Sequence, residues 1–109
     1  TDQEMLEIAE HYMRFSSYDD VELMLYYDKI IKKPDGNIYR YDDRLYIETG
    51  DPDLNIISGP FLVEKENGRI VRFGTAYPLE YVLKDYENGE LALSMGRYWY
   101  PEDERFDYK

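Results

Sequence analysis

"GPFLVEKENGRIVRFGTAYPLEYVLKDYENG", residues 59–89, sets the architecture of this chain. Two apolar runs, residues 61–65 and 69–73, flank Glu66-Asn67-Gly68, and Asn-Gly between apolar runs is a strong hairpin signal because both residues tolerate positive φ. Pro78 presets a first helical turn. Leu79, Val82, Leu83 and Tyr86 then recur at the spacing of one buried helix face, and Gly89 supplies the C-terminal stop. The stretch therefore reads as strand, turn, strand, a Gly74-Thr75-Ala76 joint, and a helix.

Outward from this module, Met5, Ile8, Ala9, Tyr12 and Met13 form a second helical stripe near the N-terminus. Asp2 is the expected cap, Glu4 and Glu7 suit the positive end of the dipole, and Ser16-Ser17 ends the helix. Val21, Leu23, Leu25 and Tyr27 alternate with Glu22, Met24, Tyr26 and Asp28, as in a half-buried strand. "KKPDGN" (32–37) is a Pro/Gly turn and residues 38–41 return, so a hairpin is predicted over 21–41. "DDRLYIETGDPDLNIIS" (42–58) is turn-rich and reads as an irregular excursion with a short helical turn. Leu91, Leu93 and Met95 alternate with Ala92 and Ser94, predicting a last strand to about Tyr100. "PEDERFDYK" (101–109) reads as a loose charged tail. The expectation is an α+β fold in a single domain, residues 1–109. It has an N-terminal helix, an antiparallel sheet of about five strands, and a second helix before the last strand.

At 109 residues the chain can build one modest core. Cysteine is absent, which removes disulfides, thiolate nucleophiles and cysteine-ligated zinc and suits a reducing compartment. No apolar run reaches the length of a membrane span. "TDQEMLEIAEHYM" (1–13) has neither the basic n-region nor the apolar stretch of a signal peptide, and it lacks an initiator Met. A cytoplasmic protein is expected.

Charge is uneven. Twenty-four acids against 13 bases give −11, of which residues 1–60 carry −8 and residues 61–109 carry −3. Such a chain repels nucleic acid and anionic membranes and attracts a basic partner. Thirteen tyrosines exceed what one small core can bury with every hydroxyl satisfied, so several belong at the surface. Acidity equally serves solubility, and tyrosines also dress half-exposed sheets.

Catalytic signatures are weak. His11 is the only histidine and falls off the apolar stripe of its helix, so it reads as an exposed helix residue rather than a general base. A single histidine also excludes histidine-based metal sites. "DPDLN" (51–55) begins like a calcium loop, but Ile56 and Leu62 stand where that loop requires Gly and Glu. The acid pairs Asp19-Asp20 and Asp42-Asp43 read as turn formers. Lys29, Lys32 and Lys33 form a local cluster on an acidic body, not a nucleic-acid stripe. Neither an enzyme nor a cofactor or metal protein is expected.

"YDDRLYIETGD" (41–51) and "SGPFLVEKENGRIVRFGTAYPLEYVLKDYE" (58–87) resemble the immunity protein 35 family of bacterial polymorphic-toxin systems. The resemblance rests on Arg44, Tyr46, Thr49, Gly50 and Asp51, on Gly59-Pro60 and Gly68, and on Gly74, Thr75, Ala76, Pro78, Glu80, Tyr81 and Tyr86-Glu87. Two departures are the Ile57-Ser58-Gly59-Pro60 approach, where the family has Gly-Asn-Gly-Pro, and the longer segment after Gly89. The resemblance implies a small cytoplasmic antidote that binds and blocks a cognate toxin domain. In that frame the strand–turn–strand–helix module is scaffold, with Tyr81 and Tyr86 anchoring the helix. Residues 41–53 hold five acids and one base. Tyr41, Asp42, Asp43, Tyr46, Glu48, Asp51 and Asp53, joined by Tyr98, Trp99 and Tyr100, are the expected contacts for a basic toxin. The protein would act as a monomer or weak homodimer, without nucleic acid or membrane. The alternative is a holdase-like interaction module that protects unfolded clients and has no dedicated toxin.

Overall fold

The computed structural model describes residues 1–18, 21–56, 58–92, 94 and 96–107. Helix α1 (Asp2–Ser16) is followed by β1 (Leu23–Leu25), β2 (Ile31–Lys33), β3 (Gly36–Tyr39), β4 (Tyr41–Asp43) and α2 (Arg44–Thr49). Then come β5 (Phe61–Glu64), β6 (Ile70–Arg72), α3 (Leu79–Glu87), β7 (Tyr98–Tyr100) and β8 (Arg105–Asp107). The fold is α+β, and every strand pairing is antiparallel.

The main sheet has the order β2-β3-β5-β6-β7-β8, one strand more than expected, and β1-β4 form a separate ribbon. The ribbon and the β2-β3 pair of the sheet derive from one long hairpin. Ile31 pairs with Ile38 around the Pro34-Asp35 turn, and Leu25 pairs with Tyr41 farther out. Between them a 3₁₀ turn, Tyr27–Lys29, puts extra residues into the first arm and turns the ribbon away from the sheet. Tyr27, expected to face inward with Leu23 and Leu25, is therefore 51% exposed.

Alternation along the strands gives the sheet two apolar faces. Tyr39, Phe61, Val63, Ile70 and Trp99 meet Met5, Ala9, Tyr12 and Met13 of α1, with Leu23 and Leu25 from the ribbon. Ile38, Leu62, Val71 and Phe73 meet Val82 and Leu83 of α3. The expected single core is thus divided by the sheet into two halves.

The helix ends follow local chemistry. Thr1, not Asp2, caps α1, forming a capping box with Glu4; Asp2 instead accepts from Lys32 and Asn37. Pro78 occupies the cap position of α3, one residue before the helix begins. The charged tail also differs from expectation: Arg105–Asp107 forms an edge strand on β7. The predicted strand from Leu91 is observed only at Tyr98–Tyr100, and its Leu93 and Met95 lie outside the described residues, as do Asp19 and Asp20.

Candidate functional site

The excursion expected over 42–58 contains its short helical turn and is more regular than expected up to residue 54. Residues 41–54 form β4, then α2, then a 3₁₀ turn, Pro52–Leu54. Asp43 caps α2 by accepting from Leu45 N at 2.9 Å, and Gly50 closes the helix in the left-handed region. Asp51 caps the next turn by accepting from Asp53 N at 3.0 Å.

These local bonds divide the expected contact residues. Asp42 and Asp43 are buried, at 5% and 6% exposure. One oxygen of Asp42 accepts from Asp43 N at 2.8 Å and Ile56 N at 3.0 Å; the other accepts from Asn55 and from the Tyr26 hydroxyl. Its charge is used to hold the chain, so neither acid is available to a partner in the folded protein. Tyr41 is half-buried against Phe61, and Tyr46 is half-buried. Glu48, Asp51 and Asp53 are exposed. Arg44 lies between Glu48 at 3.3 Å and Glu22 at 2.7 Å, which brings Glu22 to the same rim.

The second expected group does not join this rim. Trp99 is fully buried beneath α1, where His11 meets it edge-on and Tyr12 and Phe15 tilt against it. His11 is accordingly half-buried rather than free on its helix, with Nε2 3.0 Å from Glu104 Oε2. Tyr98 faces the α3 side under the Arg69 guanidinium, and Tyr100 lies beneath Arg105. Tyr81 is 62% exposed and anchors nothing, whereas Tyr86 reaches the buried Glu64.

The module read as scaffold contains a feature that its residue pattern did not announce. Around the Gly74-Thr75-Ala76 joint lies a cleft of about 310 Å³, bounded by Gly59-Pro60, Gly96-Arg97, Tyr12, Tyr41 and Arg72. Gly59 packs so closely on the Gly74 backbone that a Cβ there would overlap it. Arg72 donates from Nη1 to Gly96 O at 3.1 Å, and Arg97 donates from Nη1 to Arg72 O at 2.8 Å, tying Gly96-Arg97 to β6. Burial raises the phenols of Tyr12 and Tyr41, while the Arg72 charge partly offsets that rise in both. The signal in the sequence was "RFGTA", an arginine entering a Gly joint, which spacing alone does not distinguish from a plain turn.

Among the described residues there is no cluster of three or more His, Cys, Asp or Glu side chains able to hold a metal ion. Among the same residues no helix is long and apolar enough to cross a membrane. Over 80 residues the chain is 34% identical to the uncharacterized protein YrhB of Escherichia coli (strain K12), a match that spans 72% of this chain and 80% of that protein. The chain belongs to the YrhB family. No family model matches this YrhB relative, and no solved structure matches it.

Proposed function

We propose that this YrhB-family chain is a cytoplasmic immunity protein that binds a basic toxin domain and neutralises it by covering its working surface. The observation that carries this reading is the rim built by α2 and the turn after it. Glu48, Asp51 and Asp53 stand exposed there beside the Glu22–Arg44 pair, and Leu45 on the same short helix is 49% exposed. Carboxylates of this kind steer a basic partner and raise its association rate, while a partly buried aromatic such as Tyr46 slows dissociation. The rim is rigidly placed because Asp42 and Asp43 hold it from below. The sequence resemblance through Arg44–Asp51 and the Gly-Thr-Ala joint supports the same reading.

A second reading, holdase-like protection of unfolded clients, has one observation in its favour. Phe15 and Phe106 are 40% and 37% exposed, with their rings 6.0 Å apart. Such a surface would bind many apolar segments and tolerate salt.

The test is to look for a toxin domain encoded beside the gene, coexpress it with this chain, and measure binding kinetics. Growth should be rescued. Glu48→Gln/Asp53→Asn should slow association at low salt without altering melting, and Tyr46→Ala should speed dissociation. Unchanged rates in both variants would remove the rim from the interface. Salt-tolerant suppression of aggregation of an unrelated denatured enzyme, with no rescue, would favour the second reading.

A further inference from the structure

We propose that the cleft at the Gly74-Thr75-Ala76 joint binds a small oxyanion, the carboxylate or phosphate group of a small molecule, between Arg72 and Arg97. The argument begins with charge. In a chain of net charge −11, the described lining of this cleft contains two arginines and no acid. The clefts on either side of Tyr86, of about 260 and 350 Å³, both carry carboxylates.

The arginines themselves differ from most of their kind here. Arg44, Arg69 and Arg105 each meet a carboxylate. Arg14, Arg40 and Arg72 are exposed, and Arg97 is half-buried. Arg72 and Arg97 line a concavity, and among the described residues each donates only to a main-chain carbonyl. Among the described residues Arg97 Nε is buried with no acceptor, a state it shares with Trp99 Nε1 in the core. A buried donor of a charged group left without a partner is costly, and native folds rarely tolerate it. Each guanidinium keeps further N–H donors in a planar fork whose geometry matches carboxylate and phosphate oxygens.

Size sets the class of ligand. A volume near 310 Å³ lies at the low end of small-molecule sites, roughly 300–1,000 Å³. A polyanion would be repelled by the net negative charge of the protein as a whole. The ligand is therefore a small molecule with one anionic group held by the arginines. The cleft is also preformed, because Gly59 locks onto Gly74 and the arginines tie β6 to Gly96-Arg97. This site does not depend on the acidic rim and stands whatever the rim binds.

The experiment is an NMR titration of the full chain with sodium phosphate and with sodium succinate, each against sodium chloride at matched ionic strength. The amides of Gly74, Thr75, Ala76 and Gly96 should shift and saturate with at least one oxyanion but not with chloride. Phosphate alone saturating identifies a phosphate ligand, succinate alone a carboxylate, and both the shared oxyanion chemistry. Arg72→Gln should weaken binding at least tenfold, and Arg72→Lys should give an intermediate loss by keeping the charge without the fork. Amide dispersion shows whether each variant is folded. If Arg72→Gln does not fold, Arg72→Lys and Arg97→Gln carry the test. Non-saturating shifts equal to those of chloride overturn the proposal, as do saturating shifts unchanged in the folded arginine variants.

Discussion

Tyr86 of α3 donates its hydroxyl to the carboxylate of Glu64 at the end of β5, tying the helix to the sheet across the second core. Arg69 grips the same carboxylate with two donors, at 2.6 and 3.0 Å. Burial alone would raise the Glu64 carboxyl, but the donors of Arg69 and Tyr86 more than offset it and hold it below the ordinary glutamate value of 4.5. A depressed carboxyl stabilises the fold above that value, and the contribution is lost as pH falls through the lower folded value. Glu64→Gln should therefore cost about 1–3 kcal/mol at neutral pH and make the acid limb of the stability curve shallower. Urea midpoints at neutral and acidic pH measure both, and equal acid slopes in wild type and variant would contradict the assignment.

Asp42 gives a prediction opposite to the one its sequence context invites. Its two oxygens accept from Asp43 N, Ile56 N, Asn55 and Tyr26, so Asp42→Asn places an amide N–H₂ against existing donors. The expected loss is about 1–3 kcal/mol. Asp43→Asn should be nearly silent, because asparagine caps a helix as well as aspartate does. Urea denaturation separates the two. A silent Asp42→Asn would return that acid to the list of partner contacts.

These two acids show what the sequence could and could not convey. Period and turn chemistry located α1, the β5–β6 hairpin and α3, because each carries its own signal within a few residues. The β1–β4 ribbon was hidden because the 3₁₀ turn at Tyr27–Lys29 breaks the alternation that would have revealed its register. Asp42 looked like a surface acid because two of its partners, Asn55 and Ile56, lie more than ten residues away and carry no local pattern, whereas Asp43 bonds locally to Leu45 N as the cap of a helix too short to show a buried face. Trp99 and Phe106 belong to one cross-strand pair, yet the tail holding Phe106 reads as uniformly charged. The cleft was invisible for the same reason: Arg72 and Arg97 are distant in sequence and meet only through the fold.

Gly59 and Gly74 lie back to back and should respond differently to alanine. A Cβ on Gly59 would overlap the Gly74 carbonyl, whereas a Cβ on Gly74 meets open space. Gly74→Ala therefore suffers mainly from its φ of +72°, a loss of about 1 kcal/mol. Gly59→Ala must push the joint apart and should lose several times more. Thermal melts of the two variants test the ranking, and an equal or reversed order would mean the two segments do not pack as described.

Leu83 and Tyr81 sit two residues apart on α3, with Leu83 at 9% exposure and Tyr81 at 62%. Leu83→Ala should destabilise the fold by about 2–5 kcal/mol, as buried large-to-small changes do. Tyr81→Ala should stay within about 0.5 kcal/mol, as surface changes do. Comparable urea midpoints for both would mean that the inward face of α3 is misassigned.

Six tyrosines couple the fold to alkaline pH. Burial raises the phenols of Tyr12, Tyr39 and Tyr41, and burial together with the Asp42 carboxylate raises that of Tyr26. Burial and then Glu64 raise Tyr86. Tyr27, whose hydroxyl donates to Glu10 at 2.7 Å, is pushed up to about 12 by that bond and then by burial. A phenol raised in the folded state favours folding while it is protonated. That contribution is complete below the ordinary tyrosine value of 10.0 and is lost as pH climbs through the folded values above it. The phenolate absorbance of the native chain should therefore rise at higher pH than that of the urea-unfolded chain. Its upper part should coincide with loss of far-ultraviolet circular dichroism, because the buried phenols ionise only as the two cores open. Glu10→Gln should bring the Tyr27 part of the titration down while leaving the cores in place. Superimposable native and unfolded titrations would show that these hydroxyls are not held as the structure places them.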